Sequence, residues 1–191
     1  MTTAHTPHVA FRDIRPCDRD ALADLFARTS PESRAARFMG GVAEIPAGYL
    51  ADLICSECAT ISVGAFATTA THEMLGVASA SPDVRGQAEL AVWVADAWQQ
   101  RGIGSALLAG VLRRLTGQGY TRAYAYVASS NRPALGLLHR IAPTAEYRRT
   151  DASTVTVLID VRQPDGLPKP LSRRRRTARD EQAVSESRHQ V

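Results

Sequence analysis

Lysine is nearly absent from this sequence. Of the 23 basic residues in 191, only Lys169 is a lysine, so positive charge is almost wholly arginine. Its placement says more than its total. Residues 1–161 hold 15 arginines against 15 acids, whereas residues 162–191 hold 8 basic against 4 acidic groups. The body is formally neutral and the net +4 belongs to the tail, so a pI near 9.3 does not signal a nucleic-acid-binding body.

Long apolar runs are missing too. No segment approaches the ~18 to 20 residues of a membrane span, and the amino-terminal stretch MTTAHTPHVAFRDIRP lacks the apolar region of a secretion signal. The expectation is a soluble, cytoplasmic protein with no membrane partner. Cysteine is sparse: Cys17, Cys55 and Cys58 make an odd count that suits a reducing compartment. Cys55 and Cys58 form a C-x-x-C, but a zinc site needs a second pair of ligands and a redox motif needs a βαβ setting. Both are missing, so these cysteines read as structural or incidental and no metal is expected.

What is present is one stretch of distinct character, Glu89 to Leu115. Leu90 to Val94 is β-branched, aromatic and apolar, the pattern of a buried strand, while Leu107, Leu108, Val111, Leu112 and Leu115 recur at helical spacing. Between them lies Gln99-Gln100-Arg101-Gly102-Ile103-Gly104. A glycine turn that opens a helix exposes several backbone N–H groups at the positive end of the helix dipole, a site for phosphate oxygens. Gly102 and Gly104 have no Cβ to keep an anion away.

The residues discriminate among phosphate loops. A Walker loop needs a lysine after its last glycine, and none is near. A dinucleotide fingerprint needs a third glycine at position 107 and an acid about twenty residues on. Position 107 is leucine, and the next strand ends Val127-Ala128-Ser129-Ser130 without an acid. The remaining pattern, [Q/R]-x-x-G-x-[G/A], is met throughout. In this it resembles the acyl-CoA loop of the GNAT superfamily of N-acetyltransferases.

The resemblance runs from residue 9 to 161. Tyr120 to Val127 reads as a strand, and Asn131-Arg132-Pro133-Ala134 resembles the superfamily's N-x-x-A helix start. Phe11-Arg12-Asp13-Ile14-Arg15-Pro16 resembles its first strand. Ser30-Pro31-Glu32-Ser33, Arg37-Phe38 and Ala88-Glu89 are similar to the branch containing bacterial protein-lysine acetyltransferases. The implied fold is α/β: a mixed, mostly antiparallel sheet with splayed central parallel strands, flanked by helices. Acetyl-CoA is the implied cosubstrate. Backbone of Trp93 and Val94 would meet pantetheine and the thioester, and Gln99, Gln100, Arg101, Gly102, Ile103, Gly104 and Ser105 would meet the phosphates. Asn131 would offer its amide to the pantetheine arm, with Arg132 near the phosphates; the alternative for Asn131 is an ordinary helix cap. The elements between the first and second strands would line the acceptor side, which makes Glu32, Arg34, Arg37, Phe38 and Tyr49 candidate acceptor contacts. They serve equally well as a solvated helix face with two core aromatics.

In chain order, residues 1–8 read as a mobile leader and Val9 to Arg15 as a strand. A helix capped by Asp18 or Asp20 follows, with Leu22, Leu25 and Phe26 on one face. Ser30 and Pro31 start a short helix to about Arg37, and Pro46 starts another with Tyr49, Leu50 and Leu53. Ala59 to Ala67 and Glu73 to Ala80 form a hairpin around Thr68 to His72. Gly117 and Gly119 end the helix after the glycine turn. Glu146 to Thr150 and Thr154 to Val161 close the fold. Residues 162–191 are too poor in apolar residues to join a core and read as a disordered basic tail. Its Arg173 to Arg176 block reads first as a solvated charge run, the alternative being weak contact with nucleic acid or an acidic partner.

Acetyl transfer to an amine requires that an ammonium lose a proton and that the thioester carbonyl be polarised. A lysine of pKa near ~10.4 is almost never neutral at pH 7, so a base is needed. Glu89, a lone carboxylate in an apolar strand, is the candidate: burial would raise its pKa towards the working range. In the branch it resembles, a glutamate here acts directly or through water. The alternative is a surface or salt-bridged glutamate. Alternation places Glu89, Ala91 and Trp93 on one face, and the resemblance implies a bulge in this strand. One departure is plain. The position that often carries a tyrosine acid for the CoA thiolate is Leu138, and Tyr124, Tyr126 and His139 are near it without occupying it. The reading is an acetyl-CoA-dependent N-acetyltransferase of a protein lysine. Its rivals are a small-molecule amine acetyltransferase and a non-catalytic acyl-CoA-binding module.

Overall fold

Alternation along the central strands gives the sheet two unlike faces, and each face recruits its own helices. The computed structural model describes residues 8–68 and 73–162. The elements are β1 (Val9–Asp13), α1 (Arg19–Ala27), α2 (Pro31–Phe38), α3 (Ala47–Ile54), β2 (Ile61–Ala67), β3 (Met74–Pro82), β4 (Ala88–Val94), α4 (Ile103–Gly117), β5 (Arg122–Ala128), α5 (Arg132–Ile141), β6 (Glu146–Arg149) and β7 (Thr154–Asp160). The seven strands form one sheet in the order β1-β2-β3-β4-β5-β7-β6. Every neighbouring pair is antiparallel except β4 and β5, which are parallel. This is the implied α/β fold.

One face carries Val63, Ala65, Ala78, Ala80, Ala88, Leu90, Ala123, Ala125, Val127, Val157 and Ile159, and α4 packs on it through Leu107, Leu108, Val111 and Leu115. Those four side chains are essentially inaccessible, and burial of each contributes about 1.5–3 kcal/mol. The other face carries Phe66, Met74, Val77 and Trp93, covered by Leu22, Leu25 and Phe26 of α1 and by Leu53 of α3. Edge-to-face rings tie α2 and α3 down: Phe38 stands 5.7 Å from Tyr49 and 6.2 Å from Trp93. Phe26 stands 5.8 Å from Trp93, and such pairs add about 0.5–1.5 kcal/mol beyond burial.

Several expectations need correction. The strand β4 has no bulge, and its register with β3 runs unbroken from Gly76 opposite Val94 to Pro82 opposite Ala88. The irregularity lies instead between β2 and β3 at Ala65 and Phe66. Asp18 precedes α1 without capping it by its side chain; its carboxylate accepts two hydrogen bonds from Arg12, at 2.6 and 2.7 Å, and one from the Arg15 N–H. Cys55 and Cys58 form a disulfide just past α3, while Cys17 is free and exposed. Their Cα atoms stand 5.4 Å apart, within the range a disulfide spans, so of the two readings, structural or incidental, this pair takes the structural one. The leader up to residue 7, the tip of the β2–β3 hairpin at 69–72, and the tail from residue 163 lie outside the described residues.

Candidate active site

The strands β4 and β5 pair at only two positions, Ala88 with Ala123 and Glu89 with Tyr124. Beyond Glu89 they part. The far side of Leu90 to Val94 therefore has no ladder with β5, in the very strand that leads into the glycine turn. At that turn Gly102 takes φ +80° as the N-cap of α4, a left-handed conformation that suits a residue without a Cβ. Gln100 is also left-handed, at φ +58°. No side chain caps α4 and no acid stands in its first turn. The first N–H bonded back along the helix is that of Ala106, to the Gly102 carbonyl at 3.0 Å. The N–H groups of Ile103, Gly104 and Ser105 precede it and are the orphan donors of the helix start.

Gly104 has a second reason to be glycine. A Cβ there would stand 3.2 Å from Leu137 of α5 and 3.8 Å from Val94, so its absence lets α4, α5 and the end of β4 close together. The loop is braced from within. The Gln99 amide donates to the Val94 carbonyl at 3.1 Å and to Ser33 Oγ at 3.2 Å. Asp96 accepts from the Ser30 N–H at 2.8 Å, the Ser30 hydroxyl at 2.9 Å and the Ser33 hydroxyl at 2.6 Å. Burial alone would raise the Asp96 pKa, but the bonds from Ser33 and Ser30 outweigh it and hold the carboxyl below its usual value. Ser30 is itself the cap of α2 and accepts from the Ser33 N–H at 3.2 Å. The start of α2 is thus tethered to the turn that opens α4. Nothing in the loop's own motif announced Asp96 as that tether.

On the opposite face of β4 a cleft of about 220 Å³ is lined by Arg37, Phe38, Tyr49, Ser79, Ser81, Glu89 and Ala91. It exists because β3 and β4 present small side chains there, Ser79, Ser81 and Ala91, under the overhang of α2 and α3. Four of the residues expected from the sequence meet here: Glu89, Arg37, Phe38 and Tyr49. Two do not. Arg34 lies over the Phe26 ring at 4.2 Å and donates to the Ala27 carbonyl at 3.1 Å, and Glu32 is exposed outside the cleft. Ser79, Ser81 and Ala91 were missed, because small residues in a strand carry no chemical signal of their own.

Glu89 is exposed rather than buried: it is paired to Ser81 and Tyr124 within the sheet, but its side chain points out of the sheet face into an open cleft. Its neighbour Tyr124 has its phenol pushed up to about 12, first by burial and then by the negative charge of Glu89 and Asp83. Tyr124 therefore stays protonated at any working pH. The Trp93 side chain belongs to the core, where its indole N–H donates to Thr29 Oγ1 at 2.8 Å. Asn131 Oδ1 accepts from the Ala134 N–H at 3.1 Å and caps α5. Arg132 is exposed at the first position of that helix. The Arg101 guanidinium covers Trp98 at 4.9 Å. Leu138 is 4% exposed and packs in the main core, while His139 faces Tyr147 at 6.5 Å. Among the described residues no cluster of His, Cys, Asp and Glu could hold a metal ion, and no helix is long and apolar enough to cross a membrane.

The acetyltransferase (GNAT) family model matches residues 26–142, more than half of the chain. The chain belongs to the GNAT family. The GNAT domain of S. lividans PAT superposes with a TM-score of 0.70 at 20% identity, covering 84% of this chain and 99% of that one. The PaiA N-acetyltransferase of Thermoplasma acidophilum, solved with coenzyme A, gives 0.59 at 17% identity over 80% and 99% of the two chains. Arabidopsis thaliana NAA60, solved with acetyl-CoA, gives 0.59 at 16% identity over 79% and 96%. No curated protein matches the sequence. In this GNAT chain the glycine turn, the parting of β4 and β5, and the cleft beside Glu89 lie on and around one strand.

Proposed function

We propose that this GNAT protein is an N-acetyltransferase that transfers the acetyl group of acetyl-CoA to a primary amine, the side chain of a protein lysine, with Glu89 as general base. The observation that carries the reading is the separation of β4 and β5 immediately after Glu89. Beyond it the backbone of Leu90 to Val94 is free of β5 and leads to an uncapped helix start, while the Glu89 carboxylate, at the last paired position, lines the cleft on one face of the strand.

Acetyl-CoA fits these residues. The orphan N–H groups of Ile103, Gly104 and Ser105, with the dipole of α4, would hold phosphate oxygens. Gly102 gives the turn its left-handed step, and Arg101 and Arg132 add positive charge near that end. The Asn131 Oδ1 is occupied as a cap, so only its amide nitrogen is available to the pantetheine arm. The backbone around Trp93 and Val94, released from β5, is where a donor to the thioester oxygen belongs; preorganised donors at such a place contribute about 2.7–4 kcal/mol.

An acceptor ammonium in the cleft gives its proton to Glu89, directly or through a water, and the neutral amine attacks the thioester carbonyl. Because Glu89 is exposed in the protein alone, exclusion of water around it falls to the bound acceptor. The thiolate of CoA needs no dedicated acid: Leu138 holds the place where a tyrosine often stands, and a thiol of pKa near ~8.5 leaves as an anion. The test is incubation with labelled acetyl-CoA and a cell lysate. Label on protein lysines supports the reading; label confined to small molecules refutes the protein acceptor, and no transfer refutes the enzyme.

A further inference from the structure

The cleft beside Glu89 contains a cation that has no anionic partner among the described residues. The Arg37 guanidinium lies against two aromatic rings, 4.8 Å from the centre of Phe38 and 4.6 Å from that of Tyr49. Its Nε is buried without a hydrogen-bond partner. Among the described residues, no ion pair includes Arg37 and none includes Glu89, although both line the same cavity. Opposite charges left apart in one small cavity are poor design for stability. They are the complement of a ligand that carries both signs. Aromatic rings against the guanidinium restrict its rotamers and leave its in-plane N–H edge to be matched, the geometry with which arginine grips a carboxylate through two parallel hydrogen bonds. The cavity, at about 220 Å³, is below the ~300 Å³ of pockets for drug-sized ligands. It has room for an amino-acid-sized group.

We propose that the acceptor carries a carboxylate close to its amine, and that Arg37 holds this carboxylate while Glu89 receives the ammonium. This rests on the acetyltransfer reading above and adds the acceptor's chemical class. The carboxylate has two possible sources with the same chemistry: the α-carboxylate of a free amino acid, or an aspartate or glutamate side chain beside a lysine in a polypeptide. Ser79 and Ser81 on the floor of the cleft supply hydroxyls, and Phe38 and Tyr49 wall it.

The experiment measures kcat/KM of the full chain with acetyl-CoA for matched acceptors. One arm pairs free amino acids with the corresponding decarboxylated amines. The other pairs lysine peptides flanked by Asp or Glu with the same peptides carrying Asn or Gln. In at least one arm the parent should favour the acidic member about tenfold or more, the effect of one charge-assisted hydrogen bond, and that arm names the source. Arg37→Gln should reduce the ratio to near one, Arg37→Lys should keep part of it, and Arg37→Glu should turn it in favour of the neutral member. Equal parent rates for acidic and neutral acceptors in both arms overturn this inference and leave the acetyltransferase reading standing. A preference that survives Arg37→Gln overturns the role of Arg37. No turnover with any acceptor overturns the underlying reading and this one with it.

Discussion

Gly76 is where the position of β4 is decided. It sits in β3 opposite Val94, and a Cβ built on it would stand 2.8 Å from the Trp93 carbonyl oxygen, 3.1 Å from Val94 Cγ2 and 3.2 Å from Leu107 Cδ1. A carbonyl oxygen cannot swing aside as a side-chain end can, so Gly76→Ala must push the end of β4 away from β3 or lift α4 off the sheet. Overpacking of this kind costs about 1–3 kcal/mol. For a body of this size each kcal/mol lowers Tm by about 2–4 °C, so a loss of roughly 2–12 °C is expected in a calorimetric melt. Gly110 is the control. It lies within α4, and its Cβ would meet Arg114 Nη1 at 3.5 Å and Val63 Cγ1 at 3.7 Å, ordinary contacts. Gly110→Ala should therefore raise stability by about 0.8–1 kcal/mol through helix propensity. Because the backbone displaced by Gly76→Ala is also the backbone proposed to hold the thioester, turnover at 25 °C should fall even where the protein is fully folded. A Gly76→Ala protein that melts with the parent and turns over normally would refute the close approach of β3 and β4 and the dependence of the site on it.

Glu89→Gln should lower turnover by the ~10² to 10⁴ of a lost general base, with acetyl-CoA affinity barely changed; turnover within a few-fold of the parent would show that Glu89 is not the base. Gly104→Ala needs only that the end of Leu137 give way by a few tenths of an ångström, while Gly104→Glu adds bulk and a like charge at the helix start. Calorimetry should then show the Ala variant still binding CoA and the Glu variant losing at least about tenfold, a result that equal affinities would contradict. Asp96→Asn weakens the tether of α2 to the turn, at a cost that solvent screening keeps near ~1 kcal/mol. Since the folded Asp96 pKa is lowered, the unfolded chain binds its proton first. Its stabilisation is full above the usual carboxylate pKa and is lost as pH falls through the lower folded value. The variant's melting temperature should therefore converge on the parent's in acid, and a constant gap across that window would show that the charge is not what matters.

Local pattern was enough for much of this protein. The strand, turn and helix from Glu89 to Leu115 could be read because an apolar run, two glycines and a 3.6-residue repeat are all written in neighbouring positions, and the family follows from that stretch. Ser30 as a helix cap was legible for the same reason. The alternation of β4 also told which side chains share a face with Glu89. It could not tell what covers that face. Exposure of Glu89 depends on how far α2 and α3 reach over its face, and the cleft depends on small residues of β3 and β4 lying beneath Arg37, Phe38 and Tyr49, which are brought there by those two helices far upstream. The Asp96 tether and the approach of Leu137 to Gly104 are likewise contacts across space. A sequence constrains each residue's immediate neighbours through backbone sterics and periodicity, whereas burial, charge pairing and the shape of a cavity are properties of surfaces that meet only once the chain has folded.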